Sequence, residues 1–125
     1  VDELLSITGL AAQSGRTVSE LAHGDQRVVE VTMALSRRPK LLMLDEPTAG
    51  MGQAETEHMV RLIRELHVRQ KQSILFIEHD MDLVFSFADR ISVLVSGTLL
   101  VEGSPDEVAR DPRVKAVYLG EGADA

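Results

Sequence analysis

Two acidic side chains come directly after a short apolar run. Leu41–Leu44 is followed by Asp45 and Glu46, and Pro47 closes the segment. Such a run is typical of a parallel strand that is covered on both faces. A carboxylate at the tip of a strand can hold Mg²⁺, usually through water, while the metal bridges β- and γ-phosphate oxygens. A second carboxylate beside it can orient or deprotonate an attacking water.

The bland alternative is that this pair only ends the strand and is solvated. For an isolated Asp-Glu pair we would prefer that interpretation. Here the apolar run, Pro47 and a loop carrying Gly50 and Gly52 favour a catalytic role for the pair. The sequence therefore predicts that Asp45 binds the metal and that Glu46 orients or deprotonates the water.

A histidine follows a second apolar run, SILFI, within Glu78-His79-Asp80. The imidazole of His79 could hydrogen-bond a γ-phosphate, or position the water together with Glu46. The alternative is a histidine at a helix entry that bonds its own backbone. A metal site built from all three residues is disfavoured, because neighbours on a strand point to opposite faces.

A third segment, Leu21-Ala22-His23-Gly24-Asp25-Gln26-Arg27, lies just before a predicted helix. The free N–H groups and the positive dipole end of a helix form a ready site for an anion. An ordinary helix N-cap is the alternative. His58 and His67, on another predicted helix, are expected to face solvent.

The elements that must position these residues alternate between helix and strand. Apolar spacing and breakers predict helices over 24–38, 54–69 and 80–87 and strands over 41–45, 73–78 and 91–95. This order is typical of a parallel α/β sheet, in which ligands lie off the carboxyl ends of the strands. Ser96-Gly97 predicts a β-hairpin, and Ser104-Pro105-Asp106-Glu107 predicts a capped helix start.

Composition excludes several classes of protein. The 125 residues carry a net charge of −7 and no cysteine. An acidic chain is a poor non-specific binder of nucleic acid, and the absence of cysteine rules out disulfides and cysteine-based zinc sites. No apolar run is long enough to span a membrane.

The motifs in this order resemble the ATP-binding subunits of ABC transporters. LAHGDQR is similar to the signature motif LSGGQ, LLMLDE to Walker B, AGMG to the D-loop, and Glu78-His79-Asp80 to the H-loop. The ending VEGSPDEVARDPRVKAVYLG resembles the branch that serves branched-chain amino acid importers. The resemblance covers roughly residues 15–120.

This resemblance implies an α/β fold, namely the C-terminal part of a P-loop NTPase (RecA-like) ABC ATPase domain. Residues 1–38 would end the helical subdomain, residues 39–103 would form the core, and residues 104–125 would form C-terminal helices and a tail. It also implies ATP and Mg²⁺ as cofactors. Asp45 would coordinate Mg²⁺ through water, Glu46 would be the catalytic base, and His79 would contact the γ-phosphate.

The resemblance further implies a head-to-tail pair of subunits. The signature residues Leu21 to Gln26 would touch the nucleotide held by the second ATPase subunit, and Gly50 and Gly52 would belong to the D-loop. The other implied partners are membrane permease subunits and, indirectly, a periplasmic or extracellular solute-binding protein; nucleic acid is not one. The expected location is the cytoplasmic face of a bacterial or archaeal cell membrane.

The sequence departs from the family pattern at four positions. Ala22 replaces the signature serine, His23 its first glycine, and Asp25 its glutamine, while Gly52 stands where the D-loop usually has aspartate. The loss of a hydroxyl at position 22 removes one donor to the γ-phosphate. The backbone N–H groups around Gly24 would then carry more of that contact.

The phosphate loop G-x-x-x-x-G-K-[ST] is the largest departure, because no part of the sequence matches it. The lysines are Lys40, Lys71 and Lys115, and none of them follows such a loop. We therefore expect the chain to be the C-terminal half of an ATPase subunit. On its own it should turn over no appreciable ATP.

Three alternatives stay open. The cargo could be urea or a short-chain amide, because solute recognition lies outside the motor subunit. A soluble ABC-type ATPase acting on DNA ends or ribosomes is disfavoured by the acidic, compact chain. A non-catalytic interaction module would leave Asp45, Glu46 and His79 without an explanation.

The expected loss of the N-terminal strands leads to the first prediction. Strand edges and apolar helix faces left uncovered favour association between copies. We therefore predict that the 125-residue chain self-associates, by pairing of sheet edges or exchange of elements. Size-exclusion chromatography with light scattering measures this, and a clean monomer at high concentration would contradict it.

Overall fold

The computed structural model describes residues 1–118. The chain divides into two compact units, of which the first is Val1–Ile77 and the second begins at Glu78. The first contains two single 3₁₀ turns, Ala11–Gln13 and Val18–Glu20, and these elements: α1 Asp2–Ile7, α2 His23–Ser36, β1 Leu41–Asp45, α3 Gln53–Gln70 and β2 Ser73–Ile77. The second contains α4 Met81–Phe87, β3 Ile91–Val95, β4 Thr98–Gly103, α5 Pro105–Arg110 and α6 Pro112–Tyr118.

The two strands of the first unit pair in parallel and in register. Leu41 lies opposite Ser73 at one end of the ladder, and Asp45 lies opposite Ile77 at the other. The helix α3 provides the crossover that a parallel pair requires. The predicted parallel arrangement of these strands is confirmed.

The third strand departs from the predicted parallel sheet. In the described residues β3 pairs with β4 in an antiparallel hairpin, not with the parallel pair. Ser96 and Gly97 at its turn have φ of 49° and 77°. Positive φ at both central residues is the geometry that matches the twist of a tight hairpin, so pairing with the nearest strand is local and direct.

The facing sides of α2 and α3 form the core of the first unit. The residues that share this burial are Val28, Val31, Leu35, Met59, Leu62, Ile63 and Leu66. All seven lie within the predicted helices 24–38 and 54–69, at the spacing of one helix face. Helix period therefore identified the core correctly.

The expectation that β1 and β2 are covered on both faces is wrong for the described structure. Leu42 is 2% exposed, whereas Met43 is 67% and Ile77 is 58% exposed. Side chains alternate along a strand, so the register places Met43, Leu75 and Ile77 on one sheet face. The helices of this unit cover the opposite face only.

The helix α2 is also shorter than predicted. It ends at Ser36, so Arg37 and Arg38 lie beyond its last turn instead of within it. A residue that precedes proline is disfavoured in the helical region, and helices stop before it. Pro39 thus terminates α2 before the predicted end at residue 38.

The second unit confirms the predicted capping box. Ser104 N–H donates to Glu107 Oε2 (2.8 Å), and Glu107 N–H donates to Ser104 Oγ (3.2 Å). Val108 and Val114 of the two helices that follow are fully buried. The part of the predicted C-terminal helices and tail that follows residue 118 lies outside the described residues.

A search of residues 1–118 finds no helix that is both long and apolar enough to cross a membrane.

The junction between α5 and α6 provides a prediction about acid stability. Asp111 Oδ1 accepts from Arg113 N–H (2.8 Å), and Oδ2 accepts from Arg113 Nη2 (2.7 Å). The Arg113 guanidinium, followed by the Arg113 backbone N–H, lowers the pKa of Asp111 from 3.8 to about 2. Because the folded pKa lies below the unfolded one, the stabilisation is complete above pH 3.8 and is lost as pH falls toward about 2.

We expect D111N to be less stable than wild type at neutral pH. The difference in the free energy of unfolding should shrink as the pH falls from 3.8 toward about 2. Urea unfolding of both proteins at several pH values measures the difference. A wild-type to D111N gap that stays constant with pH would contradict the prediction.

Candidate functional site

The carboxyl ends of β1 and β2 lie side by side. Asp45 pairs in register with Ile77, and the Glu46 N–H donates to the Ile77 carbonyl (2.8 Å). The ladder therefore extends one residue past the end of β1. Both carboxylate residues are exposed. The sequence correctly placed them at the rim where parallel strands end.

Glu46 has an unusual backbone conformation. Its φ is 44°, in the left-handed region that L-residues other than glycine rarely adopt. Such a conformation costs about 1–2 kcal/mol for a residue with a side chain. Strained residues of this kind gather at functional sites, where the surrounding structure holds them in place. This observation adds conformational support to the role predicted for Glu46.

The loop after Glu46 turns back tightly. Ala49 N–H donates to the Glu46 carbonyl (3.1 Å), and Met51 N–H donates to the Thr48 carbonyl (3.2 Å). Gly50 has φ of 73°, and a Cβ there would lie 3.3 Å from His23 Nε2. Gly50 is needed both for the turn and for the close approach of the histidine.

The segment Leu21–Gln26 forms the start of α2. Gly24 is buried, and its N–H donates to Glu55 Oε1 (3.0 Å). Gln26 Nε2 donates to the Leu21 carbonyl (3.0 Å), which ties the segment to the helix. His23 Nε2 lies 3.4 Å from the Ala49 carbonyl oxygen. The structure therefore brings the signature-like segment against the loop that follows Glu46.

The same carboxylate also reaches the start of α3. Glu55 Oε2 accepts from the Gly52 N–H (3.1 Å). The Gly52 N–H, then the Gly24 N–H, and to a smaller extent the charge of His23 lower the pKa of Glu55, against the opposing effect of desolvation. Sequence reasoning missed Glu55. The spacing of Gly52 and Glu55, as N-cap and third helical residue, was a usable signal.

The residues Glu78, His79 and Asp80 begin the second unit. Asp80 caps α4, since its Oδ1 accepts from the Leu83 N–H (3.1 Å). His79 is exposed, and its role stays a prediction from its position after β2. His58 and His67 are exposed on α3, as expected.

The donor chemistry of the rim fits the implied cofactors. Asp45 offers exposed carboxylate oxygens, which are the hard ligands that Mg²⁺ takes together with water and phosphate oxygens. In residues 1–118, no three His, Asp or Glu side chains are grouped to hold a metal ion. The magnesium role of Asp45 stays a prediction from its place at the end of β1.

Comparison with known proteins identifies the family. A family profile described as "ABC transporter" matches residues 1–49, and one described as "Branched-chain amino acid ATP-binding cassette transporter" matches residues 98–124. The chain belongs to the ABC transporter ATP-binding family. The profile over residues 1–49 includes the signature-like and Walker B-like segments.

Curated relatives match most of the chain. It is 45% identical over 113 residues to the high-affinity branched-chain amino acid transport ATP-binding protein LivG of Salmonella typhimurium, covering 90% of the chain and 44% of the relative. It is 39% identical over 117 residues to BraF of Pseudomonas aeruginosa, covering 94% and 46%. A more distant match is the Fe(3+) ions import ATP-binding protein FbpC of Streptomyces avermitilis, 38% identical over 122 residues, covering 96% and 35%. The chain thus spans less than half the length of these relatives.

Solved structures have the same fold. The ADP conformation of MJ1267, an ATP-binding cassette of an ABC transporter, superposes with a TM-score of 0.82 at 30% identity, covering 94% of this chain and 48% of the other. The structure of cbiO1 from Clostridium perfringens, part of the ABC transporter complex cbiONQ, superposes with a TM-score of 0.82 at 27% identity, covering 98% and 50%. The predicted fold class is confirmed.

The conformation of Glu46 generates a prediction about stability. Replacement by glycine or alanine removes the same carboxylate, but only glycine relieves the left-handed strain. We expect E46G to be more stable than E46A by about 1 kcal/mol. Denaturant unfolding of the two variants measures the difference.

The matched control is Glu57, an exposed residue within α3. There E57G should be less stable than E57A by about 1 kcal/mol, because glycine weakens a regular helix. The glycine variant should therefore be the more stable of the pair at position 46 and the less stable of the pair at position 57. If E46G proves the weaker protein of its pair, Glu46 does not bear the strain that its φ indicates.

Proposed function

We propose that this chain forms part of the ATP-hydrolysing subunit of an ABC importer for branched-chain amino acids. The observation that carries the cargo class is the match of residues 98–124 to the branched-chain profile, in a part of the chain distant from the ATP motifs. Identity is also higher to LivG, at 45%, than to the iron importer subunit FbpC, at 38%.

The proposed reaction is attack of water on the γ-phosphate of ATP, which breaks the bond to the β-phosphate oxygen and releases ADP and inorganic phosphate. Asp45 at the end of β1 would hold Mg²⁺ through water, and the metal would supply relief of the charge repulsion among phosphate oxygens. Glu46 orients the water and accepts its proton. His79 donates a hydrogen bond to the γ-phosphate. The left-handed conformation of Glu46 supports this assignment, because it separates that residue from the regular path of the strand.

The proposed contact with the second nucleotide is made by the segment Leu21–Gln26. Ala22 offers no hydroxyl and the Gly24 N–H already donates to Glu55 Oε1, so the other N–H groups at the start of α2 are the proposed donors. His23 brings an imidazole where the family pattern has glycine, and Asp25 brings a carboxylate where it has glutamine. His23 lies near the Ala49 carbonyl, and Asp25 Oδ2 accepts from Gln13 Nε2 (3.0 Å). Both departures therefore have structural partners within the chain.

The proposed assembly is a head-to-tail pair of ATPase subunits on two membrane permease subunits. It sits at the cytoplasmic face of the cell membrane and is served indirectly by a solute-binding protein. Gly50 and Gly52 of the loop after Glu46 lie toward the second subunit in this arrangement. The family membership and the order of the motifs support this proposed assembly.

The catalytic assignment is tested in the complete gene product that contains residues 1–125. We expect E46Q to lower ATP turnover by about 100-fold or more, since a general base contributes at least that factor, while ATP binding is retained. D45N should instead raise the magnesium concentration needed for half-maximal turnover. E57Q is the control and should turn over ATP like wild type. Wild-type turnover by E46Q would refute the assignment.

The cargo is tested by uptake in cells that lack their own copy of the transporter gene. Labelled leucine should accumulate with the wild-type gene and not with E46Q. Labelled urea is the comparison, because a urea importer would look similar in sequence. Glu46-dependent uptake of urea without leucine would replace the branched-chain assignment and leave the ATPase assignment intact.

A further inference from the structure

One carboxylate joins two helix starts that are distant in sequence. Glu55 Oε1 accepts from Gly24 N–H in α2, and Oε2 accepts from Gly52 N–H at the start of α3. Each oxygen therefore has its own backbone donor, at 3.0 and 3.1 Å. A charged acceptor makes such bonds stronger than neutral ones.

The charge suits this location. Helix starts carry partial positive charge from unsatisfied N–H groups, and a carboxylate stabilises them. The same two N–H groups lower the pKa of Glu55, which keeps it ionised at neutral pH. Its side chain thus satisfies one donor of each helix with a single negative group.

Close packing accompanies these bonds. A Cβ on Gly24 would lie 2.8 Å from Glu55 Oε1, and a Cβ on Gly50 would lie 3.3 Å from His23 Nε2. His23 Nε2 in turn approaches the Ala49 carbonyl (3.4 Å). The segment at the start of α2 therefore packs closely against Glu55 of α3 at Gly24, and against the loop after Glu46 at His23.

The second contact leads directly back to Glu46. Ala49 N–H donates to the Glu46 carbonyl, and the Ala49 carbonyl faces His23. The backbone of the proposed base is thus connected to the signature-like segment through one residue. Such a contiguous set of contacts can transmit a displacement between the two.

We propose that Glu55 is a positioning residue for ATP hydrolysis. It holds the signature-like segment against the loop after Glu46, so that contact of that segment with nucleotide and placement of Glu46 depend on one another. The proposal rests on the proposed function. Glu55 acts through Gly24 and Gly52 and has no contact with reacting atoms in this role.

The experiment uses the complete gene product and the variants E55Q and E55D, with E57Q as the matched control on the same helix. E55Q keeps one acceptor oxygen, and E55D keeps the charge on a side chain shorter by one methylene. A misplaced catalytic group costs turnover more than binding, so we expect kcat to fall by about tenfold or more in both. The KM for ATP should stay within about twofold in both variants. E57Q should match wild type in both constants.

A coupling readout separates positioning from a general loss of stability. H23G removes the second contact and restores the family glycine. If both contacts hold one arrangement, the effects of E55Q and H23G on kcat will be non-additive, whereas independent local damage adds. The ¹⁵N amide resonances of Gly24 and Gly52 should also shift together in E55Q.

The outcomes separate the two proposals. If E46Q abolishes turnover while E55Q and E55D keep wild-type kcat, the positioning role is overturned and the ATPase assignment stands. If turnover in the complete gene product does not depend on Glu46, the ATPase assignment fails, and the positioning role fails with it. Additive effects of E55Q and H23G would overturn the proposed coupling alone.

Discussion

The in-register parallel pairing of β1 with β2 is the constraint on which the candidate site depends. It places the end of β1 beside Ile77, and the Glu46 N–H adds one more bond to the ladder. A shift of one residue would exchange the two faces of a strand. Leu42 would then leave the core, and Asp45 would lose its place at the rim. The register of the two strands thus fixes both the burial of Leu42 and the position of the Asp45 carboxylate.

The second constraint is electrostatic. The starts of α2 and α3 converge, and two positive helix ends close together would repel each other. Glu55 lies between Gly24 and Gly52 and offsets that repulsion while it satisfies one donor of each. The same arrangement brings His23 to the loop after Glu46. An unusual histidine in the signature-like segment therefore has a defined place in this structure.

One face of the parallel pair is apolar and exposed. That face carries Met43, Leu75 and Ile77, which are 67%, 49% and 58% exposed. Large apolar surfaces of this kind are covered in proteins that function as assemblies. Self-association of the 125-residue chain stays a prediction that this face and the free strand edges support.

Local rules accounted for much of what the sequence predicted. The bounds of β1 and β3, the hairpin at Ser96-Gly97 and the capping box of Ser104 with Glu107 depend on neighbours in the chain. Helical spacing found the buried faces of α2 and α3 for the same reason. The order of the motifs was enough to indicate the family.

The tertiary structure decided what depends on distant residues. Apolar strand sequences look alike whether one face or both are covered, so the exposure of Met43 could not be read from its neighbours. The bond from Gly24 to Glu55 joins residues 31 positions apart, beyond the reach of any local pattern. The sequence by itself determined which elements form and which side chains end the strands, because those depend on short-range sterics and hydrogen bonds. Only the folded chain decided which helix starts share a carboxylate and which sheet face is left open, because those depend on packing between elements.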